Sequence, residues 1–405
     1  MTSRTSRLSA TPRQARALRL LAALTAAGAV GVLAAPPAAA DPARSLDWAL
    51  SALHAQQAWQ TTKGAGVTVA VLDTGVDATH PDLTGQVLPG KDEIGFGAKP
   101  GDANWARHGT GMAAIIAGHG HGPGDGDGVL GLAPQAHILP VRVILEDKDP
   151  QRQKARTSRG DALPAGIRWA VDHGADVINL SLGDDSATAA PVAAEDDAIQ
   201  YALSKGVVVV ASAGNGGDGA DRSSYPAAYP GVIAVAAVDR HGEHASFSTH
   251  RWYASVSAPG VEVVIADPDR SYYNGWGTSA ASAYVSAAAA LIRSEAPKLS
   301  PAQVKQVLED TTQDRPKGGR NDDVGTGMID PPAALAAAKK LKPRPAVPQP
   351  AAYAPTYFPP GPVAASAPRS HAQLIGDGLA AGFAAAGAAL VGLAGVLWFR
   401  LRRPS

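Results

Sequence analysis

Val67-Thr68-Val69-Ala70-Val71-Leu72-Asp73-Thr74-Gly75 (residues 67–75) is a β-branched apolar run that ends on an acid and a glycine turn. It is apolar nearly throughout, which suits a strand covered on both faces, as in a parallel sheet. Ile138–Val143, Val177–Leu180, Val207–Ala211 and Val232–Val238 read the same way. Between them, Ala162–His173 and Ala194–Lys205 read as helices closed by Gly174 and Gly206. Ser300-Pro301 opens a last amphipathic helix reaching Asp310, with proline at the first helical position. Strand, helix and strand in succession predict an α/β fold, a doubly wound, mostly parallel sheet flanked by helices. In such sheets the chemistry gathers at the carboxyl ends of the strands, so Asp73 is placed where a functional acid belongs.

Working outward, the chain has 405 residues, of which 45% are hydrophobic and 18% charged, enough for a large core and too few charges for a disordered chain. Lys+Arg 36 against Asp+Glu 36 leaves no net charge, which removes the electrostatic case for a nucleic-acid partner. Without cysteine, disulfides, thiolate metal sites and a cysteine nucleophile are excluded together.

Both ends read as non-globular. Residues 1–40 carry Arg4, Arg7, Arg13, Arg16 and Arg19, then apolar Leu20–Ala34, then Ala38-Ala39-Ala40 before Asp41. This is the layout of a cleaved signal peptide; the alternative, an uncleaved anchor, suffers from an apolar run that is short for a span. Residues 41–65 form a short extension, and 66–340 the α/β domain. A Pro/Ala-rich linker, 341–375, favours an extended tether. Residues 376–399 then predict a C-terminal transmembrane helix: Gly378–Phe399 holds no charged residue and is long enough for a hydrocarbon core of about 30 Å. Trp398 and Phe399 suit an interface, and Arg400, Arg402 and Arg403 in the tail 400–405 predict a cytoplasmic C-terminus. Its many Ala and Gly residues leave a buried or partner-packed helix as the alternative. The expectation is a single-pass protein of the cell membrane with its domain held outside.

Taken singly, the polar motifs have ordinary readings. Asp73 could be a turn former. His108, in Arg107-His108-Gly109-Thr110-Gly111, stands just before an apolar helix Met112–Ala117. Ser279, in Gly277-Thr278-Ser279-Ala280-Ala281, could be a helix cap. Asn215, between Gly214 and Gly216, could be a left-handed turn residue.

Their order changes the reading. Asp, His, Ser along a parallel α/β sheet is the order of subtilisin. Val71-Leu72-Asp73-Thr74-Gly75-Val76-Asp77, His108-Gly109-Thr110-Gly111, Ala211-Ser212-Ala213-Gly214-Asn215, Ser257-Ala258-Pro259-Gly260 and Gly277-Thr278-Ser279 resemble, in sequence, the signature blocks of subtilisin-like serine peptidases. The resemblance runs from about Asp47 to Ala338. It implies a catalytic triad of Asp73, His108 and Ser279 and an oxyanion hole from the Asn215 side chain and the Ser279 N–H. It also implies that Ser181, Leu182 and Gly183, with Ala211, Ser212, Ala213 and Gly214, pair with an extended peptide and wall the primary specificity pocket. The chemistry agrees: a serine hydroxyl needs a base to take its proton, and a histidine needs an acid to orient its ring.

Departures are visible. Ala280 stands where the family commonly has methionine, Ala283-Tyr284 where it has proline-histidine, and Gly111 where it has a second histidine. The packing behind Ser279 is expected to differ accordingly. No long pro-domain precedes the first strand, and the extension carrying Trp48, Leu53, Ala58 and Trp59 is expected to wrap the domain. No metal or other cofactor is expected: Asp125-Gly126-Asp127-Gly128 lacks an oxygen ligand at Val129 and a Glu at Ala136, as an EF-hand loop requires. That segment and His119-Gly120-His121-Gly122 read as a flexible surface loop, and Glu146–Asp161 as a charged, solvated insertion.

The sequence of signal, extension, peptidase domain, proline-rich stalk and membrane span resembles the mycosins, membrane-anchored peptidases that accompany type VII secretion systems of actinobacteria. The resemblance implies a serine endopeptidase acting on secreted protein or peptide substrates, in contact with the secretion membrane complex. Mycosins often carry cysteines, and this chain has none. The competing reading is a non-proteolytic scaffold subunit of that complex.

Overall fold

The computed structural model describes Arg44 and residues 46–346. The signal peptide, nearly all of the linker, the transmembrane helix and the basic tail expected from the sequence lie outside the described residues. Among the described residues no helix is long and apolar enough to cross a membrane.

In chain order, two short helices, α1 (Trp48–Ala52) and α2 (Ala55–Ala58), lead into β1 (Thr68–Asp73), β2 (Lys91–Asp92) and α3 (Arg107–Ala117). A hairpin of β3 (His119–His121) and β4 (Asp127–Leu130) precedes β5 (His137–Arg142), α4 (Arg152–Ser158), α5 (Ala162–Asp172) and β6 (Val177–Leu180). Then come α6 (Ala193–Ser204), β7 (Val208–Ser212), β8 (Ile233–Val238), β9 (Ala254–Pro259) and a second hairpin, β10 (Val263–Ala266) with β11 (Tyr272–Gly275). α7 (Thr278–Glu295), α8 (Pro301–Asp310) and α9 (Pro331–Ala338) complete the domain.

The main sheet has seven strands in the order β2-β5-β1-β6-β7-β8-β9, every neighbouring pair parallel. From β1 the chain first builds toward β5 and later returns to place β6 on the other side, so the order reverses at β1. That reversal opens a crevice at the carboxyl ends of β1 and β6. The two faces explain why the strands read as unbroken apolar runs. Val69 and Val71 of β1 join the core under α3 and α7, while Ala70 and Leu72 join the core under α5 and α6. Consecutive side chains point to opposite faces, and here both faces are buried.

The expected strands and most expected helices shift by at most a residue or two at their ends, the helix expected over Met112–Ala117 begins five residues earlier at Arg107, and two readings change in kind. The segment 119–130 is an antiparallel hairpin, not a free loop. Its anchor is Asp82, a fully buried carboxylate that accepts from Val129 N at 3.0 Å and the Tyr272 hydroxyl at 2.9 Å and sits 2.6 Å from His121 Nδ1. A buried carboxylate must collect such partners, and the hairpin supplies two of the three. The insertion 146–161 is also ordered: it contains α4, and Arg159 Nε donates to Ile94 O at 3.0 Å.

The described part of the extension is embedded in the fold. Ala49, Leu53 and Ala58 have no exposed surface. The indole N–H of Trp48 is shared between Val261 O and Glu262 O, and that of Trp59 donates to Leu132 O at 2.8 Å. An indole buried this way needs its N–H satisfied, and carbonyls over 70 residues away satisfy it.

Candidate active site

Asp73 is the last residue of β1, completely buried, and its backbone still belongs to the sheet: Val143 N donates to its carbonyl at 2.9 Å. Its Oδ1 accepts from Thr74 N at 2.7 Å. Both carboxylate oxygens face the His108 ring, with Nδ1 at 2.8 and 2.9 Å. A carboxylate only accepts, so Nδ1 carries the hydrogen and Nε2 is left as the acceptor.

His108 lies inside α3, not before it, on the first turn. Two devices start the helix five residues ahead of its apolar run. Ala106 takes a left-handed conformation (φ 53°) and turns the chain. Glu146 then accepts from the His108 backbone N–H at 2.8 Å, satisfying one of the open donors of a helix start. Close approach to β1 demands glycine: a methyl on Gly109 would stand 2.0 Å from Gly75 O. Gly111, where the family commonly has histidine, abuts β10, and a methyl there would meet Ile265 Cγ2 at 2.5 Å.

Burial pushes the His108 imidazole down, and the charge and hydrogen bond of Asp73, reinforced by Glu146 and Asp147, more than reverse it. The ring is lifted to about 9. About a third of its side chain remains exposed.

Ser279 is the second residue of α7, half-buried. In this structure its hydroxyl donates to Ser181 O at 3.2 Å and does not bond to His108. Ala280, Ala283 and Tyr284, where the family pattern differs, are buried in the apolar core, and the start of the helix is held by a polar network beside them. The hydroxyls of Ser181 and Ser282 are 2.9 Å apart and both contact Ser279 O at 2.9 Å. Asn179 Nδ2 donates to Ser181 Oγ at 2.9 Å, and Ser286 Oγ donates to Asn179 Oδ1 at 2.9 Å. Ser282 and Ser286, one helical turn apart, thus bind the start of α7 to the end of β6. These serines are buried, and mutual hydrogen bonding makes that burial tolerable.

Asn215 follows β7 and is exposed. Its Oδ1 accepts from both Thr278 N and Thr278 Oγ1 at 2.9 Å. A backbone N–H can only donate, so the amide oxygen must face Thr278 and the NH₂ must face the opposite way.

Ser181, Leu182 and Gly183 follow the end of β6. Ser212, Ala213 and Gly214 close β7 beside them, with Ser212 Oγ donating to Leu182 O at 3.4 Å. Ala211, within β7, is paired with both Leu180 and Ala234 and is wholly buried, as is Ala213. Sequence reasoning missed Glu146, Thr278 and Ser282. Only the capping preference for an acid at a helix start hinted at the first, and an acid 38 residues away carries no such signal.

The profile of the Subtilase family matches residues 64–327. A thermophilic serine proteinase of Bacillus sp. (strain AK1) is 40% identical over 259 residues, covering 64% of this chain and 59% of that protein. Fervidolysin of Fervidobacterium pennivorans is 37% identical over 317 residues, 71% of this chain and 43% of that protein. The chain therefore spans about half the length of these two relatives. The solved structure of the MycP3 protease from the type VII (ESX-3) secretion system is 31% identical, with a TM-score of 0.61 over 74% of this chain and 90% of that one. With the family profile running through well over half of its length, from ahead of β1 to beyond α8, the chain belongs to the subtilase family.

Proposed function

We propose that this chain is a membrane-anchored serine endopeptidase that cleaves secreted proteins through Asp73, His108 and Ser279. The observation that carries the reading is the approach of His108 Nδ1 to both oxygens of a buried Asp73, which puts the hydrogen on Nδ1 and leaves Nε2 as the acceptor.

In the proposed cycle Ser279 turns its hydroxyl from Ser181 O toward Nε2. As Oγ bonds to the scissile carbonyl carbon, Nε2 takes the hydroxyl proton and Asp73 steadies the imidazolium. The Ser279 N–H and the Asn215 NH₂ receive the carbonyl oxygen as it becomes negative. Nε2 then returns the proton to the departing amine, and water, activated by the same imidazole, releases the acyl group.

Anchoring through 376–399 and association with a type VII secretion complex are the finer part of the proposal. They rest on the charge-free apolar run of the C-terminal sequence and on likeness to the MycP3 protease of the type VII (ESX-3) secretion system. A fluorophosphonate probe applied to native membranes tests the whole reading. The expected result is one labelled band of this protein in the membrane fraction, lost in Ser279→Ala. Labelling that persists in the variant rules out Ser279 as nucleophile, and a labelled protein found wholly in the medium rules out the anchor.

The lifted imidazole predicts a pH profile. Only the neutral ring accepts the serine proton, so kcat/KM should climb with pH through an apparent pKa of about 9. Initial rates on a peptide at low substrate between pH 6 and about 10.5 check this. A profile already flat at pH 7 contradicts it.

A further inference from the structure

Gln303, in the first turn of α8 and 5% exposed, grips the opening of the proline-rich linker at two points. Its Nε2 donates to Lys342 O at 2.8 Å, and its Oε1 accepts from Arg344 N at 2.8 Å and from Ser300 N at 3.2 Å. An amide that bonds the C=O of one residue and the N–H of the residue two further on holds that stretch extended, as a neighbouring strand would. Residues 341–345 are exposed, and Ala346 is the first of the linker to be partly covered. It lines a cleft with Pro301, Ala302, Lys305 and Glu309 of α8. A second cleft meets the first at Gly231, Lys305 and Glu309 and continues to Tyr229, Pro230 and Trp252. The linker therefore enters one end of a groove whose other end is aromatic.

The charges of the groove are engaged with one another or with backbone. Lys305 Nζ donates to Val232 O at 2.8 Å and lies 3.9 Å from Glu309. The Arg320 guanidinium donates to Trp252 O at 2.7 Å and Ala254 O at 2.9 Å. What stands open is the Trp252 ring, 39% exposed and set edge-on to Tyr253 with ring centroids 5.7 Å apart. The chain that follows Ala346 suits such a surface. Val347-Pro348-Gln349-Pro350-Ala351-Ala352-Tyr353-Ala354-Pro355 has three prolines and no charged residue to leave unpaired. Prolines at this density favour the extended polyproline II form, which loses little freedom on docking and seats its rings on exposed aromatic side chains. At about 3.1 Å per residue, these nine residues reach about 28 Å, well beyond the roughly 15 Å of α8.

We infer that residues 347–355 of this chain dock in the groove between α8 and the starts of β8 and β9, with Pro348 and Pro350 against Trp252. The first part of the linker then belongs to the domain, and only the residues after it act as a free tether. The inference stands apart from the peptidase chemistry, since it uses none of Asp73, His108 and Ser279.

The chain has no cysteine, so two introduced thiols can be joined selectively. Full-length protein in detergent carries Ala351→Cys with Arg320→Cys, or Ala351→Cys with Lys154→Cys on α4, which follows β5 toward the opposite edge of the sheet. The initial rate of intramolecular linkage by a short bismaleimide is read beside a melting curve. Docking raises the effective concentration of the paired thiols, so the first pair should link at least ~10-fold faster than the second. Trp252→Ala, and separately Pro348→Gly with Pro350→Gly, should each slow the first pair several-fold in protein that melts as before. Equal rates for the two pairs, or a first-pair rate that neither change slows in folded protein, overturn the inference. Adducts that join two copies in place of the intramolecular one assign the groove to a second molecule and overturn it as well. Failure of fluorophosphonate labelling, by contrast, strikes the peptidase reading and leaves the docking untouched.

Discussion

Ser279→Ala should lower kcat on a peptide substrate by about 10⁶-fold and leave the fold unchanged, a magnitude taken from subtilisin itself. The size follows from the group acting as a unit with His108. Without Oγ no acyl-enzyme forms, and the remaining rate comes only from binding and from the oxyanion donors. The fold should survive because the hydroxyl does little structural work. It makes a single 3.2 Å bond to Ser181 O, worth about 0.5–1.5 kcal/mol. The contacts that anchor the start of α7 use the Ser279 carbonyl instead, through Ser181 and Ser282. Single-turnover kinetics beside a melting curve check both halves. A folded variant that still turns over within tenfold of wild type would remove Ser279 as the nucleophile and the covalent mechanism with it.

Asp73→Asn should cost about 10⁴-fold in kcat, the known cost of this exchange in a triad. An asparagine retains the shape and can still accept from Thr74 N, as Asp73 Oδ1 does at 2.7 Å. Its NH₂, however, would face His108 Nδ1 and favour the tautomer whose hydrogen sits on Nε2, the atom that must accept. The same change removes the largest influence that lifts His108, so whatever activity remains should titrate at lower pH, toward the ordinary imidazole value of about 6.5. A loss below tenfold, or an unmoved pH midpoint, would separate Asp73 from the chemistry. The paired readout distinguishes an electrostatic role from general damage to the domain, because a misfolded fraction lowers kcat without moving the midpoint.

Much of the architecture was legible in the chain. β1, β5, β6, β7 and β8 were read within a residue or so because both-face burial demands unbroken apolar runs, a local signal. α8 was legible through its cap: Ser300 Oγ accepts from Gln303 N and the Gln303 side chain from Ser300 N, with Pro301 at the first position. β9 was quoted only as a family block and not read as a strand, since Ser255 and Ser257 interrupt its apolar character. Both are buried, and Ser257 N donates to Gly327 O at 2.9 Å, a partner far along the chain. The β3–β4 hairpin was misread for a similar reason. Its glycines and aspartates signal a loop, and only Asp82, reaching Val129 N from 47 residues away, makes them a hairpin.

The sequence alone therefore determined five strands of the main sheet and the helices between them, the strand-end position of Asp73, the motif spacing that marks the family and the apolar character of the C-terminal run. Each of these depends on neighbours within a few residues, where backbone geometry is known in advance. Only the tertiary structure decided that Glu146 caps the His108 helix, that Thr278 orients the Asn215 amide and that Ser282 and Ser286 tie the start of α7 to the end of β6. Such contacts join residues that the chain brings together only after the sheet has formed, and hydrophobic periodicity says which side chains are buried without saying against whom.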